Sequence, residues 1–221
     1  MLNIRVGIEK LLMKITHRKS ERKLTDLEKD MAHLNIITYK YIEQRKSYKE
    51  YKYQSFISDK EVAVFKKDEN KTIYIIFKGT NNVDNLVTDF KLFLNRMDKT
   101  FNKAFEKFKN VKKTFPNYKM FVSGHSLGAT KSLYISQKCN DCVKGIVFNA
   151  YIPSLNIKLI NLINDTNDVT KFVNRDDFLS NLAIYINKKK IVIMVNKGIF
   201  NTILDLHTIK QYVETDKYLT F

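Results

Sequence analysis

Ser126 is flanked two residues away on each side by Gly124 and Gly128, in the stretch KMFVSGHSLGATK from Lys119 to Lys131. A serine hydroxyl becomes a useful nucleophile only when it is exposed to a base and held clear of its own backbone. The order Gly124, His125, Ser126, Leu127, Gly128 is a G-x-S-x-G pattern, in which the glycines permit a sharp turn that side chains at those two positions would obstruct. The apolar residues Met120, Phe121 and Val122 before it read as a strand, and Leu133, Tyr134 and Ile135 after it read as one side of a helix. This is the strand-turn-helix setting of a nucleophile elbow, with Ser126 at its tip.

A nucleophilic serine needs a base, and the chain has four histidines: His17, His33, His125 and His207. His125 adjoins the serine, where alternation along a strand directs its side chain away from the hydroxyl. His17 and His33 precede the serine, whereas elbows of this type are followed in chain order by an acid and then by the histidine. His207 is left as the base. Between the two lie Asp141, Asp165, Asp168, Asp176, Asp177 and Asp205 as acids that could orient the imidazole. Functional groups in open α/β sheets sit at the C-terminal ends of strands, which favours the pair Asp176 and Asp177 just beyond Val169–Val173. The oxyanion of the tetrahedral intermediate requires two donors: the backbone N–H of Leu127 is one, and the loop Lys78, Gly79, Thr80, Asn81, Asn82 after Thr72–Phe77 is the natural source of the other.

The elements that must position these groups are legible as alternating strands and helices. Strand-like segments fall at Glu61–Phe65, Thr72–Phe77, Met120–Ser123, Val143–Phe148, Val169–Val173 and Ile191–Val195, several of them separated by helix-length stretches. Such alternation predicts an α/β protein with a mainly parallel central sheet covered by helices on both faces. Thr25, with Glu28 three residues on, predicts a capped helix running to about Gln44. Ahead of it, Ile4, Ile8, Leu11, Leu12 and Ile15 form an amphipathic stripe, and the basic residues from His17 to Lys23 read as a linker. The expected organisation is therefore a basic amphipathic segment over residues 1–23 and one domain over residues 24–221.

Composition narrows the partners. The chain of 221 residues has 39 Lys and Arg against 23 Asp and Glu, a formal net charge of +16. That field suits anionic membrane surfaces, nucleic acid or acidic substrates, and no nucleic-acid-binding fold motif accompanies it. No apolar run approaches the ~18 residues of a spanning helix. Arg5, Glu9, Lys10 and Lys14 interrupt the first fifteen residues, so no signal peptide is read there and the chain is expected to act inside a cell, in the cytoplasm or peripherally at membranes. The two cysteines, Cys139 and Cys142, form a C-x-x-C after a helix rather than at a helix start, and they supply too few ligands for a zinc site. They are read as reduced thiols at a helix end.

Taken together, these segments resemble the class 3 lipases, also called the fungal triacylglycerol lipase family, from about Leu24 to His207. IYIIFKGTNNVDNLVTDF is similar to the family's strand, oxyanion loop and following acidic segment, with Thr80, Asp84 and Asp89 at the matching positions. FPNYKMFVSGHSLGAT is similar to its elbow, KFVNRDDFLSNL to its acid segment and DLHTIKQYV to its terminal histidine segment. Lys78 stands where the family usually has arginine, Asn85 where it has tryptophan, and Ala129 where it has a further glycine. The stretch Leu86–Phe105 is short for a long amphipathic lid.

The resemblance implies an α/β-hydrolase fold and a serine carboxylic-ester hydrolase acting on lipid esters, without metal or organic cofactor. It implies a triad of Ser126, Asp177 and His207, selecting Asp177 over Asp176, and an oxyanion hole of Thr80 and Leu127. The competing expectation is a lipase-fold protein that binds anionic membranes or a partner without turnover; it would have lost a triad residue, and none is missing here.

Overall fold

The structure is a computed structural model and describes residues 20–80, 90–139, 142–151, 168–174, 191–194, 209, 211–214 and 218–220. In chain order its strands are β1 (Ser20–Arg22), β2 (Lys52–Tyr53), β3 (Val62–Lys67), β4 (Thr72–Phe77), β5 (Lys119–His125), β6 (Lys144–Phe148), β7 (Val169–Asn174), β8 (Ile191–Met194) and β9 (Tyr218–Thr220). The helices are α1 (Asp26–Tyr39), α2 (Phe90–Thr114), α3 (Leu127–Lys138) and the single turn α4 (Gln211–Glu214).

The six segments with strand-like pattern all form strands, and they form one sheet with three short ones in the order β1-β9-β8-β7-β6-β5-β4-β3-β2. Neighbours from β4 through β8 are parallel, so the C-terminal ends of those strands share one edge of the sheet. The flanks are antiparallel: β3 folds back on β4, and β9 runs against β8 and β1. Five parallel strands between antiparallel flanks is the doubly covered architecture that the alternation of elements predicts.

Strict alternation along the central strands divides the core in two. On one face, Phe65, Tyr74, Ile76, Ile146, Phe148 and Phe172 pack with Met31 and Leu34 of α1 and with Tyr212 of α4. On the other, Val64, Ile73, Ile75, Phe77 and Val122 pack with Phe108 and Val111 of α2 and Ile135 of α3. A side-chain period of two is what sends neighbours to opposite faces. Helix α1 starts as expected, with the Glu28 N–H donating to Thr25 Oγ1 at 3.3 Å and the Thr25 N–H to Glu28 Oε2 at 2.8 Å.

Three expectations are corrected. Residues Ser20–Arg22, read as part of a linker, are a strand paired with Tyr218–Thr220. Helix α1 stops at Tyr39, and a separate 3-10 turn covers Ile42–Gln44. The reason for the early stop is Arg45: its buried guanidinium donates to the carbonyls of Thr38 and Lys40 at the helix end, and to those of Asp59, Lys60 and Val62. Carbonyls that a continuing helix would satisfy are taken by a side chain instead. Cys139 and Cys142, read as reduced thiols, are joined in a disulfide beyond the end of α3. The amphipathic stripe from Ile4 to Ile15 lies outside the described residues.

Candidate active site

Ser126 sits between the last residue of β5 and the first of α3, at the shared C-terminal edge of the parallel strands. Its backbone has φ 55° and ψ −125°, a conformation that a residue with a Cβ rarely adopts and that costs about 1–3 kcal/mol. The surroundings hold it there. The Ser126 N–H donates to the Phe148 carbonyl at 3.1 Å, while the Ser126 carbonyl accepts from the N–H groups of Thr130 at 3.2 Å and Tyr151 at 3.3 Å. Thr130 also donates its hydroxyl to the Tyr151 carbonyl, tying α3 to the segment after β6.

The two flanking glycines act through space. A Cβ on Gly124 would collide with the backbone of Gly128 and Ala129, and one on Gly128 would land on the Phe77 carbonyl. Helix α3 therefore lies directly on β4 and β5, closer than any side chain would allow. Neither glycine has positive φ; Ser126 carries the strain of the turn alone. Among the described residues the Ser126 hydroxyl is buried and has no hydrogen-bond partner.

Phe77 pairs in register with Gly124, which brings the chain after β4 alongside the elbow. An ideal Cβ at Gly79 would stand 3.2 Å from Ser126 Cβ, so the loop that begins Lys78, Gly79, Thr80 borders Ser126. Thr80 is partly exposed, and Leu127, the first residue of α3, is buried. The loop is anchored from behind: the Lys78 N–H donates to the Glu61 carbonyl at 2.8 Å, and Lys131 Nζ reaches both Glu61 Oε2 at 3.0 Å and the Lys78 carbonyl at 3.3 Å. Burial and the nearby charge of Arg45 lower the Lys78 ammonium's pKa from its ordinary value.

His125 points to the α1 face, away from α3. Its Nδ1 lies 3.0 Å from the Tyr39 hydroxyl, and the two rings meet edge to face at 5.8 Å. Burial raises the Tyr39 phenol above its ordinary pKa, partly opposed by the Gly79 N–H. His33 stacks on Tyr48 at 5.0 Å within α1's surroundings. Of the acids, Asp168 lies just before β7, where its carbonyl accepts from the Gly145 N–H, at the opposite edge of the sheet from Ser126. This removes it from the candidates.

Asp176, Asp177 and His207 lie outside the described residues, as do Asp84, Asp89, Asp141, Asp165, Asp205 and His17. Their chain neighbours are described. Strand β7 ends at Asn174 on the elbow's edge of the sheet. Ile209, two positions after His207, is buried in the core with Phe148 and Phe172, and the Tyr212 hydroxyl donates to Asn149 Oδ1 just beyond β6. Asn149 itself has φ 44°, a second strained residue at this edge. Tyr39, Glu61 and Lys131 are the members of the site that sequence reasoning missed, since no motif or spacing marks them.

The stretch from β4 through α3 is also what links this chain to known proteins. Residues 74–139 match the family described as Lipase (class 3). Over 97 residues the chain is 30% identical to a lipase of Rhizopus niveus and 29% identical to a lipase of Rhizomucor miehei. These stretches cover 37% of this chain and only 25% and 27% of those lipases, so it matches about a quarter of its curated relatives' length. Among solved structures, Rhizomucor miehei lipase in its propeptide complex superposes with a TM-score of 0.58 at 16% identity, over 91% of this chain and 74% of that one. A triacylglycerol lipase whose catalytic centre is a serine-protease triad gives 0.56 at 18% identity, over 80% of this chain and 84% of that one. At such identities the likeness shows the fold. The matched elbow segment is similar to that of the class 3 lipases, and the shared architecture is the α/β-hydrolase fold.

Proposed function

We propose that the protein is a serine carboxylic-ester hydrolase that cleaves acyl esters of lipids through an acyl-enzyme. The observation that carries this reading is the strained backbone of Ser126, φ 55°, kept at the tip of a strand-turn-helix whose glycines leave no room for relaxation. Strain of this kind persists only where the surrounding structure imposes it, and it raises the hydroxyl out of the turn for attack.

In the proposed reaction Ser126 Oγ attacks the acyl carbon while His207 takes its proton. Asp177 holds the imidazole in the right tautomer and stabilises the cation that forms. The oxyanion is received by the N–H of Leu127 and by Thr80, the alcohol leaves with the proton from His207, and water then repeats the sequence to release the acid. Asp177 is chosen over Asp176 on the family resemblance. The reaction calls for no metal or organic cofactor.

The hydrolase domain is taken to run from residue 24 to 221, with the basic segment before it joined to the sheet edge by β1. The whole chain's net charge of +16 supports an anionic lipid surface as the place where substrate is met. No described helix is long and apolar enough to cross a membrane. Binding to anionic vesicles should exceed binding to neutral ones and weaken with salt; equal binding at low salt would reduce the charge to a matter of solubility.

The direct test of the enzyme is a fluorophosphonate probe, which reacts with an activated serine and not with an ordinary one. Labelling of the wild-type chain that disappears in Ser126→Ala is the expected result. A wild-type chain that neither takes up the probe nor cleaves p-nitrophenyl butyrate is a binding protein on a lipase fold.

A further inference from the structure

The Tyr39 hydroxyl stands between two parts of the site that come from different strands. On one side it is 3.0 Å from His125 Nδ1, one residue before the nucleophile. On the other it lies against Gly79, so close that any Cβ there would overlap it, and the Gly79 backbone tempers the rise that burial gives the phenol's pKa. Gly79 is buried, a buried N–H needs a partner, and the adjacent phenol oxygen is placed to accept from it. An oxygen that accepts this amide has its own proton to give to His125 Nδ1. The hydroxyl then joins the oxyanion loop to the elbow by one donated and one accepted bond.

Nothing in this arrangement is required for packing alone. Tyr39 is the last residue of α1, partly exposed, and the apolar core beneath the helix is made by Met31 and Leu34 rather than by its ring. A phenylalanine would keep the edge-to-face contact with His125, and the cation of Lys78, 5.7 Å from the ring centre, would keep its aromatic face. Only the oxygen reaches Gly79 and His125 together.

We propose that Tyr39 is a positioning residue of the oxyanion loop: its hydroxyl, held between Gly79 and His125, fixes the turn that leads into Thr80 beside Ser126. The assignment rests on reading Ser126 as the nucleophile of an ester hydrolase. Its effect belongs to the transition state, because donors aimed at a developing oxyanion act only if they are in place before the charge forms.

The test is Tyr39→Phe, studied alone and combined with Thr80→Val, using p-nitrophenyl butyrate turnover and amide hydrogen exchange at Gly79. The single variant should lose about tenfold in kcat, the worth of one hydrogen bond of this kind, with KM changed less than about twofold. Its Gly79 amide should exchange at least about tenfold faster, and in the Thr80→Val background the loss in kcat should shrink, since both changes act on one loop. An unchanged Gly79 exchange rate overturns the proposal, and so do kcat losses that simply multiply in the double variant. If the wild-type chain shows no turnover while Tyr39→Phe still frees the Gly79 amide, the esterase reading falls and the tyrosine's hold on the loop stands.

Discussion

The two faces of the central sheet are built from different materials. The face beneath α2 and α3 has an aliphatic and phenylalanine layer at its centre, made by Val64, Ile73, Ile75, Phe108, Val111 and Val122. The face beneath α1 is threaded with polar groups: Asn35 donates to Ser123 Oγ at 2.8 Å, Tyr51 donates to Asp30, and Tyr39 meets His125. Strand β5 shows the division residue by residue. Met120, Val122 and Gly124 turn to the apolar side, the last to seat α3, whereas Ser123 and His125 turn to the polar side. Ser126 stands where the two meet. The comparison teaches that one face supplies stability and close helix packing, while the other supplies hydrogen bonds that orient the site's edge.

This division can be broken at its apex first. Ser126→Ala should lower ester turnover by roughly 10⁴ to 10⁶ without lowering the thermal midpoint, because Ser126, the proposed nucleophile, takes no part in either core. Undiminished activity in that variant would assign the chemistry to another residue. Next in size, Asp177→Asn should cost about 10⁴ in kcat by presenting the wrong histidine tautomer, and Asp176→Asn far less. The reverse order in steady-state kinetics would shift the acid by one residue.

Thr80→Val should lower kcat by about 10² to 10³ with little change in KM; an unchanged rate would leave the oxyanion to backbone donors alone. The smallest effects on rate should come from the apolar face. Phe108→Ala should destabilise the fold by about 3–5 kcal/mol in denaturant melts while kcat per folded molecule stays within about twofold. Asn35→Ala, on the polar face, should cost only ~1–2 kcal/mol, leaving Ser123 without its donor. If Phe108→Ala reduced kcat of the folded fraction as much as Thr80→Val does, the two faces would not be functionally distinct.

What was legible beforehand follows the range of the interactions involved. The elbow could be read because strand, glycines and helix are contiguous, and β3 through β8 because each carries its own apolar run. The Thr25 cap is equally local. The strands β1, β2 and β9 were not legible: each is two or three residues long and exists through pairing with a distant partner, as Ser20 does with Thr220. The end of α1 was misplaced because Arg45 terminates it from outside the helix, joining its last carbonyls to the turn at Asp59–Val62. Tyr39 carries no sequence signal, since its partners Gly79 and His125 lie 40 and 86 positions further along. The roles of Asp177 and His207 rest on chain order and on the family resemblance.

The guanidinium of Arg45 has a kinetic consequence. It is a cation withdrawn from water and satisfied entirely by main-chain carbonyls drawn from two segments. One of those segments, the turn at Asp59–Val62, also receives the Lys78 N–H that starts the loop proposed to bind the oxyanion. Undocking the end of α1 would strand that charge and release the turn at the same moment, so the two ought to open and close as one cooperative unit. A molecule caught during refolding with its elbow formed but α1 undocked would hold the proposed nucleophile in place without the loop proposed to receive the oxyanion. Recovery of activity should accordingly lag behind recovery of sheet structure.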